Sequence, residues 1–210
     1  MSESIRVIDV SNLPAHTLDH RSPIWWGNTL LLVIESAMFG ILIASYFYLR
    51  RNFDVWPPPR TTGYPVDLHP LPDLTLATVN LGVIVLGCIP MLIADRAALR
   101  RDRKWVDIGL VAAVLVGLLT IALRWREFSA LRMSWDENAY ASVSWTILGM
   151  HFMHLIVGTA ETVLMTAWLL THGLDDQHAR DVRVTASYWY WIAAVWIPLY
   201  VLVYFGPRIL

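Results

Sequence analysis

"LLLVIESAMFGILIASYFYL", residues 30–49, carries one carboxyl side chain, Glu35, in a run otherwise apolar, aromatic or small. A helix needs about 20 mostly apolar residues to cross a bilayer, and this stretch is long enough. Backbone amides facing lipid must bond within their own segment, so the stretch has to be helical. Four further segments share its character. The predicted spans are 24–49, 74–94, 106–123, 144–170 and 188–206. The fold class is therefore all-α: a polytopic membrane protein built as a bundle of five transmembrane helices. A cytoplasmic N-terminal segment, 1–23, precedes a single five-helix membrane domain, 24–210.

Composition agrees with that assignment. Of 210 residues, 56% are hydrophobic and only 16% charged, whereas soluble domains carry about 25% charged residues. A net charge of −1 with no basic tract argues against a nucleic-acid partner. Cys88 is the sole cysteine, which excludes an internal disulfide and any site built from several thiolates. The opening "MSESIRVIDVSNLPAHTLDH" has no apolar core, so a cleavable signal peptide is not expected.

The basic residues set an expected orientation. Arg96, Arg100, Arg101, Arg103 and Lys104 crowd one loop, on the side shared by Arg6, Arg21, Arg180 and Arg183, nine in all. The other side has seven: Arg50, Arg51, Arg60, Arg124, Arg126, Arg132 and Arg208. The positive-inside rule then places the N-terminus in the cytoplasm and the C-terminus outside. Pro90 and Pro198 are expected to kink the second and fifth spans. The loop 50–73 contains "VWPPPR" and three further prolines, Pro65, Pro70 and Pro72, as expected of a stiff connector.

A carboxylate at mid-bilayer costs about 2.5–3.5 kcal/mol on insertion scales, so such groups usually face protein and find partners. Glu35 lies about eleven residues into its span, roughly 16 Å deep at about 1.5 Å per residue. The fourth span, "WTILGMHFMHLIVGTAETV" (145–163), adds His151, His154 and Glu161. At about 100° per residue, His154 and Glu161 fall within about 20° of each other, and His151 stands about 60° away. Gly158 lies on that same side and would admit a neighbouring helix. Three uses remain open for these groups: holding a metal or haem, carrying protons, or fastening helices. Two histidines one turn apart leave a metal short of ligands unless Glu161 or another chain completes the set.

With these residues placed, the chain resembles subunit III of the haem–copper terminal oxidases, in a five-helix form. "WWGNTLLLVIESAMFGILIASYFYLR" is similar to that family's helix with a glutamate-bearing "SE-x-MFF" pattern, followed by its "WPPP" loop. "ENAYASVSWTILGMHFMHLIVG" resembles the family's "AY-x-S…T-x-x-G-x-H-x-x-H-x-x-x-G", aligning Tyr140, Ser142, Gly149, His151, His154 and Gly158. "SYWYWIAAVWIPLYVLVYFG" resembles its closing helix. The resemblance covers Trp25 to Gly206. Two departures stand out: Tyr190, Trp191, Ile192 and Ala193 replace the family's His-Phe-Val-Asp, and Glu161 is off-pattern.

The resemblance implies a non-redox accessory subunit of a proton-pumping cytochrome c oxidase in aerobic respiratory electron transport. It implies direct docking on subunit I, with subunit II and other respiratory chains nearby, in a bacterial plasma membrane. No catalytic residue and no metal are expected in this chain. Haem and copper are expected in partner subunits, and phospholipid on this one. By the same resemblance Glu35 takes the place of a membrane-buried, carbodiimide-reactive glutamate and packs against His154, with His151 beside them. Gly149 and Gly158 are expected to seat neighbouring helices, and Glu161 to stand in for the lost polarity of the last helix. The alternatives are the equivalent subunit of a quinol oxidase or nitric-oxide reductase, or a haem- or quinone-binding membrane cytochrome using His151 and His154.

Overall fold

The computed structural model describes residues 22–59, 71–131 and 133–209. The N-terminal segment expected over 1–23 lies almost wholly outside them, as do Arg60, Pro65, Pro70 and Arg132. Five long helices, each apolar enough to cross a membrane, make up the fold: α1 (Pro23–Arg51), α2 (Leu74–Arg100), α3 (Arg103–Ala130), α4 (Ala139–His172) and α5 (Asp176–Tyr200). After α5 come a π-helical turn, Val201–Phe205, and a short closing helix, α6 (Gly206–Ile209). No strand occurs among the described residues.

Local sequence accounts for where the helices begin. Pro23 occupies the first turn of α1, where a missing N–H is harmless. The other four start on an Asx side chain that accepts from an orphan backbone amide. Asp73 takes Thr75 N, Asp102 takes Trp105 N, Asn138 takes Ala141 N and Asp175 takes His178 N. α2 and α3 are joined by only Arg101 and Asp102, with Arg101 in the left-handed region at φ 59°.

The chain weaves so that α1's start, the α2–α3 turn and the α4–α5 turn share one end. Asn28 Nδ2 donates to Ser187 Oγ at 2.7 Å there, and Arg183 Nε lies 3.3 Å from Asp95 Oδ1. At the opposite end Trp56 Nε1 donates to the Tyr46 hydroxyl at 2.8 Å, and Asn138 Nδ2 to the Pro58 carbonyl at 3.2 Å. There Trp56 and Pro58 of the connector fold back onto α1 and the start of α4.

α5 is the most buried helix and packs on α2, α4 and α1; α4 also packs on α3 and α1. α1 is the least buried and leans on α4 and α5. Lipid is as apolar as leucine, so helices in it gain from close approach rather than from leaving water. The tightest seam joins α2 to α3. A Cβ on Gly109 would fall 2.8 Å from both the Ala94 amide nitrogen and the Pro90 carbonyl oxygen. Only glycine fits there.

α3 continues to Ala130, past the 123 boundary expected from hydropathy. Arg124 and Arg126, expected in a loop, are therefore corrected to helical positions, and Arg124 is fully buried. Its charge does not stop the span because it is answered inside the protein.

Candidate functional site

Glu35, His151, His154 and Glu161 take part in three contacts along α4. First, His154 Nε2 lies 3.0 Å from Glu35 Oε2, joining α4 to α1 across 119 residues. The other ring nitrogen, Nδ1, lies 2.7 Å from the Met150 carbonyl. A carbonyl only accepts, so Nδ1 carries its hydrogen. A single proton must then lie between Nε2 and the carboxyl, whichever partner holds it. Without it, a carboxylate would face an imidazole lone pair. The pair is walled by aromatics: Phe39 stands 5.2 Å and Trp191 5.4 Å from the His154 ring, centroid to centroid. Trp191 also ties α5 to α1 by donating to Ser36 Oγ at 2.8 Å.

Second, His151 belongs to a different group. Its Nε2 lies 3.2 Å from the Ile192 carbonyl and its Nδ1 3.3 Å from Arg124 Nη2. The carbonyl must be donated to and the guanidinium can only donate, so the ring is neutral with its hydrogen on Nε2. Arg124 continues the group: Nη1 donates to Glu127 Oε1 at 2.8 Å. Glu127 further accepts from Asn80 Nδ2 at 3.1 Å and from the Tyr204 hydroxyl. Three helical elements, α2, α3 and the π-helical turn, thus converge on one buried carboxylate, and α4 joins the group through Arg124.

The π-helical turn positions that convergence. Pro198 has no N–H to give the preceding turn, and the chain widens over Val201–Phe205. The wider turn presents the Val203 carbonyl to the Tyr140 hydroxyl at 2.8 Å and aims Tyr204 at Glu127.

Third, Glu161 accepts from Thr185 Oγ1 at 2.8 Å, linking α4 to α5 nearer the turn end. Between it and His154 lies Gly158. A Cβ on Gly158 would fall 3.0 Å from Ile192 Cδ1 and 3.1 Å from Tyr188 Cε1, so α5 is seated directly on it.

Of the residues expected as a buried polar pair or cluster, Glu35 meets His154, whereas His151 is held by Arg124 and the Ile192 carbonyl and Glu161 by Thr185. The reason is angular. His151 stands far enough around α4 to face α3 and α5, whereas His154 faces α1. Gly149 meets no helix of this chain: among the described residues no heavy atom lies within 4 Å of where its Cβ would be. It floors an open groove with Trp125, Phe128, Trp145 and Phe152. Glu161 contacts Thr185 and makes no hydrogen bond to residues 190–193 among the described residues.

Arg124, Glu127, Asn80 and Tyr204 were missed by hydropathy. The signal was present: Arg124 and Glu127 are three apart, the spacing at which opposite charges meet on one helix face.

A family model for cytochrome c oxidase subunit III matches residues 6–207. The chain belongs to the cytochrome c oxidase subunit III family. Cytochrome c oxidase subunit 3 of Pongo pygmaeus is 26% identical over 192 residues, covering 90% of this chain and 72% of that one. The Homo sapiens protein of that name is 24% identical over 201 residues, covering 93% and 76%. The Synechocystis sp. protein is 29% identical over 186 residues, covering 85% and 74%. As a subunit III of a haem–copper oxidase, the chain is one part of a multi-subunit membrane complex. The five apolar helices are the multi-pass membrane portion of that subunit.

Proposed function

We propose that this subunit III is a non-redox accessory chain of a proton-pumping cytochrome c oxidase, docked directly on the catalytic subunit I of a bacterial plasma membrane. Subunit II and other respiratory chains complete the assembly, and haem and copper reside in those partners. This chain carries phospholipid and supports proton uptake. Its N-terminus is cytoplasmic and its C-terminus outside. With Arg124 buried, the basic tally stands at nine against six, which favours that orientation.

One observation carries the accessory role. Both ring nitrogens of His151 and of His154 are engaged by groups of this same chain. A haem iron or copper needs a free imidazole lone pair, and neither histidine offers one without losing a helix contact. These residues do not fit a resident metal. The part in proton uptake is supported by the Glu35–His154 pair, which holds one shared proton well inside the span.

The test is made on the purified complex. Mild detergent extraction followed by mass spectrometry should recover an oxidase subunit I with this chain. Glu35→Gln should leave haem and copper content unchanged. Loss of either metal centre in that variant, or a Soret band from this chain alone, would overturn the reading.

A further inference from the structure

Where α2 and α3 leave the membrane, Ile93, Arg96, Ala97, Arg100, Asp102 and Trp105 line a pocket of about 250 Å³. Arg96 and Arg100 are one helical turn apart, so both guanidinium groups project over one mouth. Other arginines at this end are committed: Arg101 to Asp176, Arg103 to Asp107 and Arg183 to Asp95. Among the described residues Arg96 and Arg100 make no hydrogen bond or ion pair. Asp102 contributes the single opposing charge, and its carboxylate already accepts from Trp105 N as the cap of α3. The mouth is left net positive.

An apolar track runs beneath it. On α2 the row Arg100–Arg96–Ile93 continues to Ile89 and Leu86, which are 52% and 63% exposed. On α3 Trp105 is followed by Ile108 and Leu115, also exposed. Two cations at headgroup depth, an indole beside them and aliphatic side chains leading into the bilayer match one chemistry: a phosphodiester head with acyl chains below. The guanidinium fork suits phosphate oxygens in a bidentate way, and indole rings favour the headgroup level.

We propose that this pocket is a binding site for one anionic phospholipid, its phosphate held by Arg96 and Arg100 and its acyl chains laid along α2 and α3. The proposal deepens the phospholipid role given above and rests on it. The two-residue α2–α3 turn holds both helix ends at one level, so the site is formed by the fold before lipid arrives.

The experiment is native mass spectrometry of the purified oxidase complex from nanodiscs of phosphatidylglycerol or phosphatidylcholine. The intact complex should retain an additional phosphatidylglycerol and no corresponding phosphatidylcholine. Arg96→Gln with Arg100→Gln should weaken that retention roughly 30-fold, each arginine near the surface contributing a factor of about five. Arg96→Lys with Arg100→Lys should keep most of it, and Arg101→Gln should leave it unchanged. Equal retention in the double glutamine variant overturns the site, as does equal retention of phosphatidylcholine. Release of the lipid by millimolar inorganic phosphate would also overturn it, revealing a free-phosphate site. The same spectra report partner chains, so loss of subunit I would count against the accessory role without touching the lipid result.

Discussion

The guanidinium carbon of Arg124 lies 3.8 Å from the centroid of the Trp196 ring, and the His151 ring lies 4.5 Å from the same indole. The cation is thus bounded by an aromatic face, an imidazole nitrogen and the Glu127 carboxylate. Removing only the cation strands that carboxylate. Arg124→Leu should destabilise the detergent-solubilised protein by about 3–5 kcal/mol, the usual consequence of breaking a buried pair on one side. Arg124→Leu combined with Glu127→Leu should lose clearly less. Thermal unfolding of both variants checks this; equal losses would show that the two charges are not coupled.

Glu35 and His154 should respond by degree. Glu35→Gln keeps a donor for Nε2, so its effect should stay within about 1 kcal/mol. Glu35→Leu leaves Nε2 facing no partner at a largely buried position and should cost about 1–3 kcal/mol. Denaturant titration in detergent separates the two. A leucine variant as stable as the glutamine variant would mean that the contact does not fasten α1.

The two glycines of α4 should behave oppositely. Gly158→Leu drives a side chain into Tyr188 and Ile192 and should destabilise by about 1–3 kcal/mol. Gly149→Ala meets open space and gains helix propensity, up to about 1 kcal/mol. Paired thermal melts decide it.

At the head of α5, the His178 backbone N–H donating to the Asp175 carboxylate holds that carboxyl below its ordinary value, with the His178 side chain adding to the effect. A depressed value means that the ionised form is favoured by the fold. Its contribution is therefore complete above about pH 3.9 and is lost as pH falls through the lower folded value. Protection of the His178 amide from hydrogen exchange, taken relative to its intrinsic rate at each pH, should fall across that acid range. Asp175→Asn, still a capping residue, should remove the pH dependence while retaining most of the protection. A variant that keeps the same acid transition would locate the titrating group elsewhere.

The five helices were legible because apolar runs of membrane-crossing length admit no other backbone solution. The meeting of Glu35 with His154 was implied by the family resemblance; the residues alone said only that a lone carboxylate in lipid needs a partner and that α4 has a polar face. What spacing on α4 could not tell was which neighbour each position faces. His151 and Gly149 turned on that, since an arc of about 60° separates one neighbouring helix from another. The Arg124 group was hidden differently. Hydropathy ends a span at the first charge, whereas this charge is neutralised by Glu127 from the next turn of the same helix.

The lean of α1 on α4 and α5 bears on how the protein is made. α1 is synthesised before α4, and the imidazole that answers Glu35 follows 119 residues later. At translation rates of about 5–20 residues per second, that separation corresponds to about 6–24 s. During that interval the carboxyl group of α1 has no imidazole to meet, and the bundle can close around it only once α4 has followed.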